Sequence, residues 1–152
     1  MNQKMDSKLV NVIVGRFQPF TKRDFETAQG LSISNGLPVL VVYVRSHQGY
    51  SNTPLKSDTV RSMLTELTKL DMFCDVIYSD SWDYEEILRR VSKKGFKVFQ
   101  LQISDHDSVQ SQLARLSAQN NDCDMFCRCV PSNLHKYFGE FRKEILEYGK
   151  QI

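Results

Sequence analysis

In the stretch VGRFQPFTKRD (14–24), a glycine, a hydroxyl and three cationic side chains lie close together, as a phosphate site requires. Gly15 lets a backbone approach a phosphate closely. The chain then leads toward a helix N-terminus, where unpaired N–H groups favour an anion. Thr21 offers a hydroxyl, and Arg16, Lys22 and Arg23 offer charge. Asp24 works against them. An ionised carboxylate accepts hydrogen bonds, donates none, and repels a phosphate. The same residues also have a structural use: Thr21 or Asp24 caps the helix, Lys22 and Arg23 are solvated, and Gly15 and Pro19 shape the turn.

Other residues that could do chemistry are scattered. His47 lies in a polar loop, where it is either a donor toward a cleft or simply exposed. Asp105, His106 and Asp107 suggest a metal, and Asp105 or Asp107 equally suits a helix N-cap. Cys123, Cys127 and Cys129 form C-x3-C-x-C within DCDMFCRCV, and Cys74 stands apart. Zinc sites need a second ligand pair that this run does not supply, so free thiols are the expected state, with metal or disulfide the alternative. Tyr78, Trp82 and Tyr84 surround DSWDY, where an aromatic either stacks on a base or staples a helix entry to the core. Tyr137, Phe138, Phe141, Ile145 and Tyr148 make a C-terminal stripe suited to the core or to a subunit contact.

The elements that must position these residues alternate strand with helix. KLVNVIVGRF (8–17) is an apolar first strand, and FETAQGLSISNG (25–36) a helix stopping at Asn35-Gly36. PVLVVYVRS (38–46) is apolar throughout, which marks a strand covered on both faces. A helical stripe of Val60, Met63, Leu64, Leu67 and Leu70 follows. CDVIYSD is the third strand, and DYEEILRRVSKKG a helix with acids first and bases last, matching its dipole. FKVFQLQIS is the fourth strand, DSVQSQLARLSAQN a helix, MFCRCV an expected fifth strand, and a C-terminal helix starts after Pro131 with Ser132 as N-cap. This order predicts an α/β, Rossmann-like three-layer sandwich of about five parallel strands with helices on both faces. Ligands of such sheets bind beyond the carboxyl ends of the strands, where the first strand delivers Gly15, Arg16 and Phe17.

A chain of 152 residues is most simply one domain, 1–152, without internal repeats. With 20 basic against 18 acidic side chains, the net charge of +2 does not indicate nucleic acid, so any phosphate site must be local. No apolar run approaches the roughly 18 residues of a membrane span, and the start lacks the pattern of a signal peptide. A cytoplasmic location is expected.

VIVGRFQPFTKRD resembles the opening of the small nucleotidyltransferases, the adenylyl- and cytidylyltransferases, whose usual form is G-R-F-Q-P-F-H-x-G-H. SNTPLKSDTVRSML resembles their N-P-[FL]-x(4)-R segment, with Pro54, Leu55 and Arg61 on its landmarks. FQLQISDHDSVQSQL resembles their fourth strand and following loop, keeping Asp105, with His106 in place of a basic residue. VPSNLHK lies where the family has I-S-S-T-x-I-R, so Ser132 matches, Asn133 replaces Thr and Lys136 replaces Arg. The resemblance spans almost the whole chain and is specific mainly at GRFQPF.

The resemblance implies transfer of a nucleotidyl group from a nucleoside triphosphate to a phosphorylated acceptor, with Mg²⁺ accompanying the nucleotide. It also implies nucleotide contacts from Gly15, Arg16, Phe17, Gln18, Thr21, Arg23, Arg61, Ser132 and Lys136. The two histidines that donate to the phosphates are replaced by Thr21 and Asp24, and Arg23 fills the glycine position. Losing one preorganised donor costs roughly 2.7–4 kcal/mol of transition-state stabilisation. No catalytic residue is then intact. The expectation is a nucleotidyltransferase-like protein without its reaction, acting as a binding or assembly component in a host cytoplasm or a virion. A protein partner or second copy is expected, with the C-terminal helix as the candidate contact. The alternative is an active transferase with a rearranged site.

Overall fold

The computed structural model describes residues 8–45, 54–105 and 107–151. Four parallel strands form one sheet: β1 (Lys8–Gly15), β2 (Val39–Val44), β3 (Phe73–Ser79) and β4 (Phe96–Ile103), in the order β3-β2-β1-β4. Ile13 pairs with Val41 on one side and Gln102 on the other. All six residues of β2 are buried, as a strand covered on both faces requires. Sheet order reverses at β1, because β2 and β3 build to one side and β4 returns to the other. The carboxyl ends of β1 and β4 therefore flank the switch point.

Helices α1 (Lys22–Asn35), α2 (Ser57–Leu67), α4 (Val109–Gln119), α5 (Cys123–Cys129) and α6 (Phe138–Gln151) cover one face, and α3 (Tyr84–Lys93) the other. The larger core joins Ile13, Val41 and Tyr43 of the sheet to Ala28, Met63, Leu64, Ala114, Phe126 and Phe141 of the helices. The smaller core joins Val10, Val12, Leu40 and Val42 to Ile87 and Val91 of α3. The fold is thus Rossmann-like, α/β, with helices on both faces. Gly36 ends α1 in the left-handed conformation, φ 74°, and its N–H bonds the Ser32 carbonyl at 2.7 Å.

The expected fifth strand is a helix. Met125–Cys129 of MFCRCV lie in α5, with Val130 as its C-cap, and the helix start is capped by Asp122 accepting the Met125 N–H at 3.1 Å. In so short a run, periods of 2 and 3.6 are indistinguishable, and packing decides. A helix buries Phe126 and Cys129, three residues apart, in the larger core. α4 lies on the α1–α2 face, and β4 is left as an edge of the sheet. Ser132 is likewise not an α-helix cap. It opens a 3-10 helix, Ser132–Tyr137, that precedes α6 and has no side-chain cap.

The aromatic stripe of the C-terminal helix is turned inward. Phe141, Ile145 and Tyr148 are buried, and Tyr137 and Phe138 pack on the larger core. Among the described residues no helix is long and apolar enough to cross a membrane.

Candidate functional site at the switch point

The stretch from Gly15 to Asp24 packs largely inward. A Cβ on Gly15 would lie 2.8 Å from the Ser104 Cβ and 3.1 Å from the Phe17 ring, so glycine is required by the neighbouring chain. The Ser104 N–H bonds the Val14 carbonyl at 2.7 Å, holding the two strand ends together. Phe17 and Phe20 are fully buried, with ring centroids 5.3 Å apart, and belong to the larger core. Gln18 is fully buried too. Its Oε1 accepts the Leu55 N–H at 2.9 Å, and its carbonyl accepts from Arg115 at 2.7 Å. Arg16 lies 5.7 Å from the Trp82 ring centroid.

Thr21 is the N-cap of α1 and forms a reciprocal capping box with Asp24. The Asp24 N–H donates to the Thr21 hydroxyl at 3.3 Å, while the Thr21 N–H donates to Asp24 Oδ2 at 2.9 Å. The Thr21 hydroxyl also donates to Oδ2, and the Ser104 hydroxyl donates to Oδ1 at 2.5 Å. Both carboxylate oxygens are engaged. Burial pushes the Asp24 carboxyl above the usual aspartate range, against the bonds from Ser104 and Thr21 and the charge of Arg23.

Beside this box is a cavity of about 410 Å³, lined by Arg23, Asp24 and Thr27 of α1, the end of β4, and the turn into α4. It carries one guanidinium, Arg23, against the carboxylates of Asp24, Asp105 and Asp107. Asp105 accepts the Asp107 N–H at 2.9 Å, and Asp107 pairs with Arg115 at 3.3 Å. Neither caps α4; Ser108 does, accepting the Ser111 N–H at 3.2 Å. No group of His, Cys, Asp and Glu suited to a metal ion occurs among the described residues. His47 and His106 lie outside them.

The remaining expected contacts point elsewhere. Lys22 does not line the cavity; its charge is felt instead by the Cys127 and Cys129 thiols, which burial raises. Arg61 of α2 lies over the Tyr78 ring, 4.6 Å from its centroid. Lys136 pairs with Glu66 at 2.7 Å, and Ser132 is exposed at the start of the 3-10 helix. None of Arg61, Ser132 and Lys136 lines the cavity. His135 is structural: its Nε2 lies 2.9 Å from the Cys127 carbonyl and 3.1 Å from that of Val130. The four cysteines are free thiols, with Cys123 and Cys127 one helical turn apart and 3.9 Å between sulfurs. Trp82 is partly exposed at the entry to α3.

Two sets of residues carry no motif signal in the sequence. The role of Ser104 depends on β4 returning beside β1. Arg45, Arg90, Lys93 and Lys94 join Arg61 along β3, and the only local signal was the basic end of α3. No family model matches the chain, and a search of curated proteins finds no match.

Proposed function

We propose that this chain is a nucleotidyltransferase-like protein without the transfer reaction, serving as a binding or assembly component. The observation that carries the reading is Asp24. At the position where a phosphate donor is needed, it presents an acceptor whose two oxygens are already bonded to Thr21 and Ser104. The adjoining cavity adds Asp105 and Asp107, so a triphosphate there would meet three carboxylates and one guanidinium. Asp24 is held on both oxygens by Thr21 and Ser104, and Asp105 and Asp107 each accept one bond from the protein. GRFQPF retains value without catalysis, because Gly15, Phe17, Gln18 and Phe20 all hold the fold.

The test is pyrophosphate release from ATP or CTP with Mg²⁺, in the presence of nicotinamide mononucleotide or another phosphorylated acceptor. The expected result is release no faster than in buffer. Release that scales with protein concentration and is lost in Arg23→Gln, an exposed residue, would overturn the reading and establish an active transferase.

A further inference from the structure

A second concavity differs from the first in the sign of its charge. It runs along the outer edge of β3 and has a volume of about 520 Å³. Arg45, Arg61, Arg90, Lys93 and Lys94 line it together with Tyr78, and no carboxylate does. Arg45 follows β2, Arg61 comes from α2 on one face of the sheet, and Arg90 and Lys93 come from α3 on the opposite face, with Lys94 as its C-cap. The cations therefore straddle the edge strand. The basic end of α3 offsets that helix's dipole, which accounts for Arg90 and Lys93 alone. It does not account for Arg45 and Arg61, which lie on other elements.

The arginines are held in place. Arg45 Nε donates to Asp80 at 2.8 Å. Arg90 Nε bonds Glu86 at 2.7 Å, and its Nη1 bonds the Tyr78 carbonyl at 3.2 Å. Arg61 rests on the Tyr78 ring. Among the described residues Lys93 and Lys94 form no ion pair. Asp80 pairs with Arg45 and lies 3.9 Å from Arg90, and Glu86 is shared between Arg90 and Arg89 at 2.7 Å. Five cations thus line one concavity against the two carboxylates that pair with Arg45 and Arg90, an excess of positive charge that an anion would relieve.

We propose that this groove binds a short chain of linked phosphates, such as the triphosphate of a nucleotide or free tripolyphosphate. Arg45 and Arg90 use part of their forks on Asp80, Glu86 and the Tyr78 carbonyl, so Arg61, Lys93 and Lys94 supply the charge most open to phosphate oxygens. Their spread along the strand suits several linked phosphates better than one. A peptide adding to the β3 edge is disfavoured, because the Val76 N–H already donates to Asp75 at 2.7 Å and Arg90 occupies the Tyr78 carbonyl. The site is separate from the acidic cavity at Asp24 and does not depend on the transfer reaction being lost.

The experiment is titration calorimetry of tripolyphosphate and of ATP against the whole chain, with sulfate at matched ionic strength. Amide shift mapping and the variant R61Q/K93Q/K94Q complete it. The expected result is one site per chain, shifts centred on Val76–Tyr78, and at least tenfold weaker binding in the variant and of sulfate. ATP tighter than tripolyphosphate would assign a nucleotide; equal affinity would assign the phosphate chain itself. An affinity unchanged in a normally folded variant would overturn the proposal. So would shifts centred on Thr21–Asp24, or tighter binding of a glutamate-rich peptide or single-stranded oligonucleotide. Pyrophosphate release does not enter this test, so the two proposals fail independently.

Discussion

Replacing Asp24 separates its structural role from any catalytic one. In Asp24→Ala the Thr21 N–H loses its 2.9 Å acceptor and the Ser104 hydroxyl its 2.5 Å acceptor. Loss of half a capping box removes about 1 kcal/mol. Thr21 is buried, so its stranded N–H adds about 1–3 kcal/mol. Removing a buried carboxylate works in the opposite direction, because burial is the largest influence on Asp24. A net loss of about 2 kcal/mol is expected, or about 4–8 °C in Tm for a domain of this size. Asp24→Asn keeps the shape: its Oδ1 accepts from Thr21 and its Nδ2 donates to Ser104. It should match or exceed the parent near neutral pH.

The pH dependence has a definite sign. Folding raises the Asp24 pKa above its unfolded value of about 3.9. The native state therefore binds more protons in the window just above that value. The contribution of Asp24 to stability is greatest below the window and falls as pH rises through it. Urea unfolding of parent, Asp24→Asn and Asp24→Ala between pH 4 and 7 reads both effects. The Asn variant should gain on the parent as pH rises. An Asp24→Ala midpoint equal to that of the parent, or a flat difference between parent and Asn, would refute the assignment of Asp24 as a buried cap.

Two further substitutions probe how the switch point is held. Gly15→Ala places a methyl 2.8 Å from the Ser104 Cβ and should lower stability by about 2 kcal/mol in urea unfolding. Combining it with Ser104→Gly should recover part of the loss at that contact, although the Asp24 bond is forfeited. Glu144 of α6 is buried and accepts the Lys56 N–H at 2.8 Å and the Thr59 hydroxyl, tying α6 to the start of α2. Glu144→Ala should cost about 2–3 kcal/mol. Burial raises the Glu144 pKa, so Glu144→Gln, which keeps an acceptor, should lose least near pH 7.

The sheet was legible because a parallel strand buried on both faces leaves a dense apolar record. VLVVYV can hardly be anything else, and all of it is buried. The dipole-matched ends of α3 and the glycine stop of α1 were legible because they are local, each depending on a few adjacent residues. DCDMFCRC was not. Eight residues carry no decisive period, and burial of Phe126 and Cys129 among residues distant in sequence selected the helix. The C-terminal aromatics were legible as a stripe, but not as core or contact, since only the packed chain shows where Phe141 and Tyr148 point.

The site divides along the same line. The residue types near Gly15, including a carboxylate where a donor was wanted and a threonine able to cap, stand in the sequence, and so did the capping alternative. That the carboxylate is bonded from both sides depended on Ser104, which reaches Asp24 only because β4 lies beside β1. The cationic groove was beyond any local reading. Arg45, Arg61 and Lys94 are distant in sequence and meet because α2 and α3 flank one edge strand from opposite faces. Local chemistry and periodicity set the elements and their caps. Convergence of charge is a property of topology, and only the tertiary structure decided it.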